Sequence, residues 1–172
     1  MYGYVFQYGN ENIDIGSRGT NLNTDSYSLA LYGTKIEDNN YFTDGIIGLN
    51  LLDIDHRRVI NGNTLKGVRD GQQIFSSINF GKRLHEDEIN FNPGIKLDLG
   101  YTKLEAFREK TTLGNSLSDS LIYRDQNIKT ALATIGVLFD TTDKEDEKII
   151  NHHVRFEYFG DLCPSSKAEF YY

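Results

Sequence analysis

The stretch Ile89–Tyr101, INFNPGIKLDLGY, constrains this chain more than any other. Its odd positions are Ile89, Phe91, Pro93, Ile95, Leu97, Leu99 and Tyr101, and none carries a charge. Its even positions are Asn90, Asn92, Gly94, Lys96, Asp98 and Gly100, and none is a large apolar residue. Side chains alternate across a strand, so the segment has one oily face and one wet face. From Phe91 to Tyr101 the oily face runs through eleven residues. A tilted strand needs about 9–11 residues to cross a bilayer, whereas strands of soluble sheets average about 5–6. The length points to a membrane barrel.

Composition is compatible with that reading without requiring it. The 172 residues suit one domain over 1–172, and the 38% of hydrophobic residues and mean hydropathy of −0.48 would suit a soluble chain. Barrel strands escape this test because half of each faces a polar lumen. No run of about 18 apolar residues exists, which excludes transmembrane helices. With 25 acidic against 18 basic residues, a nucleic-acid role has no electrostatic support. A single cysteine, Cys163, permits neither an intrachain disulfide nor a multi-cysteine metal motif. The N-terminus lacks a basic region followed by an apolar one, so no signal peptide is expected within the chain. Since a barrel of this kind must be exported, the chain is expected to be a fragment of a longer precursor.

The alternation recurs along the chain. Tyr2, Tyr4 and Phe6 share a face, as do Leu29 and Leu31, then Ile47 and Leu49, then Ile74 and Ile78. After Ile95, Leu97 and Leu99 come Ile135 and Val137, then Val154 and Phe156. These aliphatic and aromatic positions are expected to face lipid. Asp44, Lys96, Asp98, Arg155 and Glu157 fall on the opposite faces and are expected to face the lumen. They could form an ion network that fixes strand register, or contact a passing chain or plug helix. Ala168–Tyr172 is expected to begin an eighth strand.

Polar segments of roughly 16, 19 and 14 residues alternate with turns of roughly 4, 4 and 9 between the apolar segments. The segments in question are Tyr8–Thr24, Asp53–Gly71 and Phe107–Ser120, with the middle strand able to continue through Arg57–Ile60 before turning at Asn61-Gly62-Asn63. An antiparallel meander places every second connection on the same side, and outer-membrane barrels sort short periplasmic turns from long extracellular loops. The pattern predicts an all-β, antiparallel, up-and-down transmembrane barrel.

Chemistry is sparse. His56, Arg57, Arg58 and Asp70 form the one cluster that could suggest acid–base work, but loop charges of this sort are expected to be solvated or packed against neighbouring loops. His152 and His153 point to opposite faces of a strand and cannot share a metal. No catalytic residue, metal site or cofactor is expected.

Several phrases in order carry more information than alternation. They are DSYSLALYG at 25–33, DHRRVI at 55–60, LKGVRDGQQIFSSINFGKRL at 65–84, NPGIKLDLGYTKLEAFREK at 92–110 and HHVRFEYFGDL at 152–162. This set, with Tyr101, Leu104, Phe107 and Glu109 its best-matching residues, resembles the β-domain of type V secretion autotransporters. The resemblance implies a 12-stranded Gram-negative outer-membrane barrel of which this chain supplies about eight strand segments, truncated at both ends. It further implies a covalently linked passenger and linker helix outside this chain, dependence on the barrel-assembly machinery, and an absent signal peptide. The alternatives are an intact eight-stranded barrel acting as an adhesin or structural protein, and a soluble ligand-binding β-barrel.

Overall fold

In a computed structural model the chain is described over residues 1–16, 19–60, 62–86, 89–111, 120–145, 148–163 and 170–171. Seven long strands form one antiparallel meander: β1 (Tyr2–Ile15), β2 (Thr20–Ile36), β3 (Tyr41–Ile60), β4 (Asn63–Lys82), β6 (Ile89–Leu104), β10 (Gln126–Glu145) and β11 (Lys148–Asp161). Short strands decorate it. Of these, β5 (Leu84–Glu86) pairs with β6, and β8 (Lys110–Thr111) pairs with β4. A small second sheet joins β7 (Phe107–Arg108), β9 (Ile122–Tyr123) and β12 (Phe170–Tyr171). Among the described residues no pairing joins β1 to β11, so the main sheet is an open half-barrel.

The register carries the alternation from strand to strand. One outward row reads Phe6, Leu29, Leu49, Ile74, Tyr101, and the next reads Tyr4, Leu31, Ile47, Ser76, Leu99. A slip of one residue in any strand would turn its apolar set to the other face. Crowding tells which face is concave. A Cβ at Gly48 would meet the Phe75 ring at 2.4 Å and Ala30 at 2.7 Å, and Ala30 itself is buried. On the other face Leu29, Leu31, Ile47, Leu49, Ile95, Leu99, Ile135, Val154 and Phe156 all stand exposed, with Leu97 and Val137 half-buried. The ten steps from Phe91 to Tyr101, at about 3.4 Å each and tilted by about 35–45°, rise roughly 24–28 Å. That matches the apolar band about 25 Å tall of an outer-membrane barrel.

The ladders run further into the polar segments than alternation marks. Tyr8–Thr24 is strand except at its tip, because β1 and β2 stay paired out to Ile15 and Thr20. Within Asp53–Gly71 the strand does continue through Arg57–Ile60, paired out to Ile60 and Asn63, and Gly62 takes the left-handed conformation (φ +78°) that glycine tolerates. On the opposite side, the β10–β11 ladder continues past Asp140 out to Glu145 and Lys148, into the expected turn of roughly nine residues. Polar residues on both faces gave no alternation to read, yet backbone pairing needs none. The expected eighth strand is also corrected. Phe170–Tyr171 pairs with Tyr123 and Ile122 of β9, not with β11; residues 168, 169 and 172 lie outside the described residues.

Candidate functional site

The concave wall and a cap over one end of it are the two places where polar chemistry gathers. On the wall, Asp44, Asn79, Lys96 and Thr134 occupy one row across β3, β4, β6 and β10. Asn79 donates to Asp44 Oδ2 at 3.2 Å. Lys96 Nζ lies 2.9 Å from Asp98 Oδ2, and Arg155 Nη1 lies 3.8 Å from Glu157 Oε1. Both ion pairs join residues two apart on a single strand, where side chains share a face. A pair within one strand is indifferent to a slip against its neighbour, so these two do not set register; the Asp44–Asn79 bond, which crosses strands, does. Gln73 to Thr102 (2.9 Å), Ser28 to Asn50 (3.1 Å) and Asn92 to Asp140 (3.0 Å) continue the cross-strand polar lining. His153 Nδ1 also contacts Asp140, so its partner is a carboxylate on β10 rather than His152.

The cap begins where β6 leaves the sheet. Leu104 is the last residue of β6 to pair with β4, at Gly71, and above it β8 takes over, pairing with Leu65 and Lys66. The chain between them crosses the inner face of the β3–β4 hairpin. Gly67 makes that crossing possible: a Cβ there would fall 2.4 Å from the Phe107 ring. Phe107 stacks on Tyr123 at 4.4 Å, and His56 stands edge-on to both rings at 5.9 and 5.8 Å. Arg69 lies 5.8 Å over Phe107 and donates to the carbonyls of Glu105 (2.7 Å) and Arg124 (3.1 Å).

At the centre of the cap Glu109 is 2% exposed. Arg58 grips it with both arms of the guanidinium, Nε to Oε1 at 2.8 Å and Nη2 to Oε2 at 2.6 Å, and the Leu121 N–H adds a bond of 2.9 Å. Burial by itself would push the Glu109 carboxyl up; Arg58, the Leu121 amide and His56 outweigh it and hold the carboxyl below its ordinary range. His56 Nδ1 sits 3.4 Å from Glu109 Oε1 but makes no hydrogen bond. Burial pushes the imidazole below its ordinary value, more than the nearby carboxylate raises it. The fold thus unites His56 and Arg58, which face inward, and separates them from Arg57 and Asp70, whose register positions face outward. Glu109 is the residue that reasoning about the cluster missed. Its signal lay in the apolar residues Phe107, Leu121 and Tyr123 within an otherwise polar loop.

No group of three or more potential metal ligands occurs among the described residues. The bidentate Arg–Glu pair is a structural clamp: the carboxylate accepts three hydrogen bonds, and the nearest imidazole is buried.

The sequence matches the autotransporter beta-domain family over residues 1–171. The chain belongs to that family. Its fold is similar to the translocator domain of the autotransporter NalP from Neisseria meningitidis, with a TM-score of 0.74 and 16% identity, covering 96% of this chain and 56% of that one. It is also similar to the beta domain of the Bordetella autotransporter BrkA, with a TM-score of 0.56 and 11% identity, covering 98% of this chain and 80% of that one. At these identities the likeness is one of fold. The chain spans just over half the length of the NalP translocator domain. No curated protein matches by sequence. Autotransporter beta-domains belong to the outer membrane of Gram-negative bacteria.

Proposed function

We propose that this chain forms one side of an outer-membrane translocator barrel that anchors a covalently attached passenger and gives it passage, with no catalysis of its own. The observation that carries the reading is the pairing of a continuous apolar outer band with a polar, hydrogen-bonded concave wall across seven antiparallel strands. A soluble sandwich would bury one of these faces against a second sheet. Among the described residues β1 and β11 end the sheet, and an open sheet edge is not tolerated in hydrocarbon. Further strands of the same precursor would close the barrel, delivered with the help of a signal peptide and the barrel-assembly machinery. The lumen residues Asp44, Lys96, Asp98, Arg155 and Glu157 would then line the path of the passenger or its linker helix. The cap, on the side of Gly62, is the extracellular end, and the 37–40 turn is periplasmic.

Expression of the complete precursor in a Gram-negative host tests this reading. The barrel should fractionate with the outer membrane, and added protease should shave the passenger from intact cells. A passenger that stays protected behind a correctly inserted barrel would refute translocation while leaving anchoring intact.

A further inference from the structure

The chain carries a net charge of −7, yet the outer surface beside the cap holds one crowded row of cations. Leu65 and Gly67 are buried on the concave side, so Lys66 between them points outward, where it is exposed. Arg57, between the inward His56 and Arg58, shares that outer face, as do Arg108 and Lys110, which flank the buried Glu109. Lys66 stands directly opposite Arg57 on one side and Lys110 on the other. Side chains paired in this way lie about 5 Å apart at Cβ, where like charges destabilise a sheet. None of these four cations makes an ion pair or a side-chain hydrogen bond among the described residues. Glu109, the carboxylate beneath the row, is held by Arg58. Asp55 lies on the outer face opposite Val68, two residues from Arg57, and forms no ion pair with it.

The row stands well clear of the apolar band. On β3 the outward run Ile47, Leu49, Leu51 ends level with Tyr27. Arg57 lies six strand steps beyond Leu51, which at about 3.4 Å each and a tilt of about 35–45° is roughly 14–17 Å. The headgroup layer of a phospholipid leaflet is only about 5–8 Å deep. At that lower level the face is acidic, with Asp25, Asp53 and Asp70 in one row across β2, β3 and β4. Phosphates there are repelled, and phosphates roughly 10 Å further out meet the cations. This order of charge suits an anion carried far from the hydrocarbon.

We propose that Arg57, Lys66 and Lys110, with Arg108 beside them, bind the phosphorylated core sugars of lipopolysaccharide in the extracellular leaflet. Those sugars carry anionic groups outward past the level of the aspartates, whereas a phospholipid ends below the row. In the free barrel the like charges destabilise the hairpin, and bound phosphate relieves the repulsion. The proposal rests on the outer-membrane reading above, with the cap side extracellular.

The complete protein, folded in detergent, is titrated by thermophoresis with three probes. They are rough lipopolysaccharide with a phosphorylated core, the same material stripped of phosphate by hydrofluoric acid, and lipid A alone. The first should bind more tightly than either of the others, and added salt should narrow the gap. Lys66→Gln should weaken that binding by about fivefold, the worth of one basic residue at a membrane surface. Lys35→Gln, whose lysine pairs with Glu37 at the opposite end of the strands, should change nothing. Lys66→Glu separates a ligand row from a structural one. It sets a carboxylate between Arg57 and Lys110, so it should raise the unfolding midpoint of the lipid-free protein while abolishing the preference for the phosphorylated core. Equal binding of the phosphorylated and stripped forms, or of lipid A, would overturn the proposal. A preference that survives Lys66→Glu would do the same. A protein that inserts yet shows no preference counts against this inference alone; one that never enters a membrane counts against the outer-membrane reading itself.

Discussion

In the wall between Phe91 and Tyr101 the outward side chains remain largely exposed, whereas in the cap above it Leu65, Glu109, Ser120 and Leu121 are all buried. The same strands contribute to both regions, since β3 and β4 run from one into the other. The difference follows from the solvent each region meets. The cap stands in water and must build its own core, so it brings aromatic rings, an ion pair and an aliphatic side chain together under one loop. On the proposed reading the wall needs no such core on its outer side, because lipid would cover that face. Its cohesion comes from the continuous backbone ladder and from the polar bonds of the concave side. An exposed apolar surface that would be a liability in water is, on that reading, the surface a membrane would solvate.

The largest effect should come from the cap's centre. Removing one partner of a buried ion pair strands the other, at a cost of about 3–5 kcal/mol. Glu109→Ala should therefore release the 105–125 crossing, seen as rapid hydrogen exchange and proteolysis there, while the barrel keeps its resistance to sodium dodecyl sulfate. Loss of both together would mean that wall and cap are one cooperative unit.

In the wall the sensitive direction is outward. Leu97→Arg should cost about 2–4 kcal/mol near mid-membrane, whereas Lys96→Arg, one residue away on the wet side, should be mild. Equal tolerance of the two in a refolding titration would erase the distinction between faces. A smaller loss is expected at the seam of the two regions. Gly67→Ala pushes a methyl into the Phe107 ring, and overpacking of this kind costs about 1–3 kcal/mol. Its signature would be reduced protection of β7 and β9 with the lower strands unchanged.

The mildest lever is pH, and it acts on the cap. The folded state holds His56 below its ordinary value of 6.5 and Glu109 below its ordinary value of 4.5. Both groups therefore bind protons more readily when the cap is unfolded, so stability falls as the solution is acidified. His56 contributes fully above pH 6.5 and loses its contribution as pH falls from there through its lowered folded value. Glu109 contributes above pH 4.5 and loses it as pH falls through its own. Hydrogen exchange in 105–125 corrected for its intrinsic pH dependence should accelerate in acid, and His56→Phe should remove the first step but not the second.

How much of this was legible in the sequence differed by region for the same physical reason. Alternation is imposed by having lipid on one side and a wet lumen on the other, so Leu29 and Leu31, Ile47 and Leu49, or Ile95, Leu97 and Leu99 announce their strands. Above the membrane both faces meet water and the code lapses. The hairpin at Ile15–Thr20 therefore reads as a loop, although its ladder continues. Past Tyr101 the apolar alternation also changes phase, at Leu104, for a related cause. Leu104 faces inward above the apolar band, and its side chain lies over Gly71. His56 and Arg58 could be singled out as a cluster, but Glu109 is 51 residues from Arg58 and reaches it only because β6 leaves the sheet. A resemblance in the phrase Tyr101–Glu109 marked that residue without supplying its role. The two aromatics at 170–171 misled, since an aromatic ending suits a barrel strand and a cap strand equally.

The most direct measurement of the account is a spin-label scan of β6 from Phe91 to Tyr101, with Cys163 replaced by Ser, in the complete protein reconstituted into lipid. Collision with oxygen, which concentrates in hydrocarbon, should be high at Phe91, Ile95, Leu97, Leu99 and Tyr101. Collision with a water-soluble nickel chelate should be high at Asn92, Lys96 and Asp98, giving two profiles of period two in opposite phase. Nickel access at every position, or profiles without that period, would contradict a strand that holds lipid on one side and a wet lumen on the other.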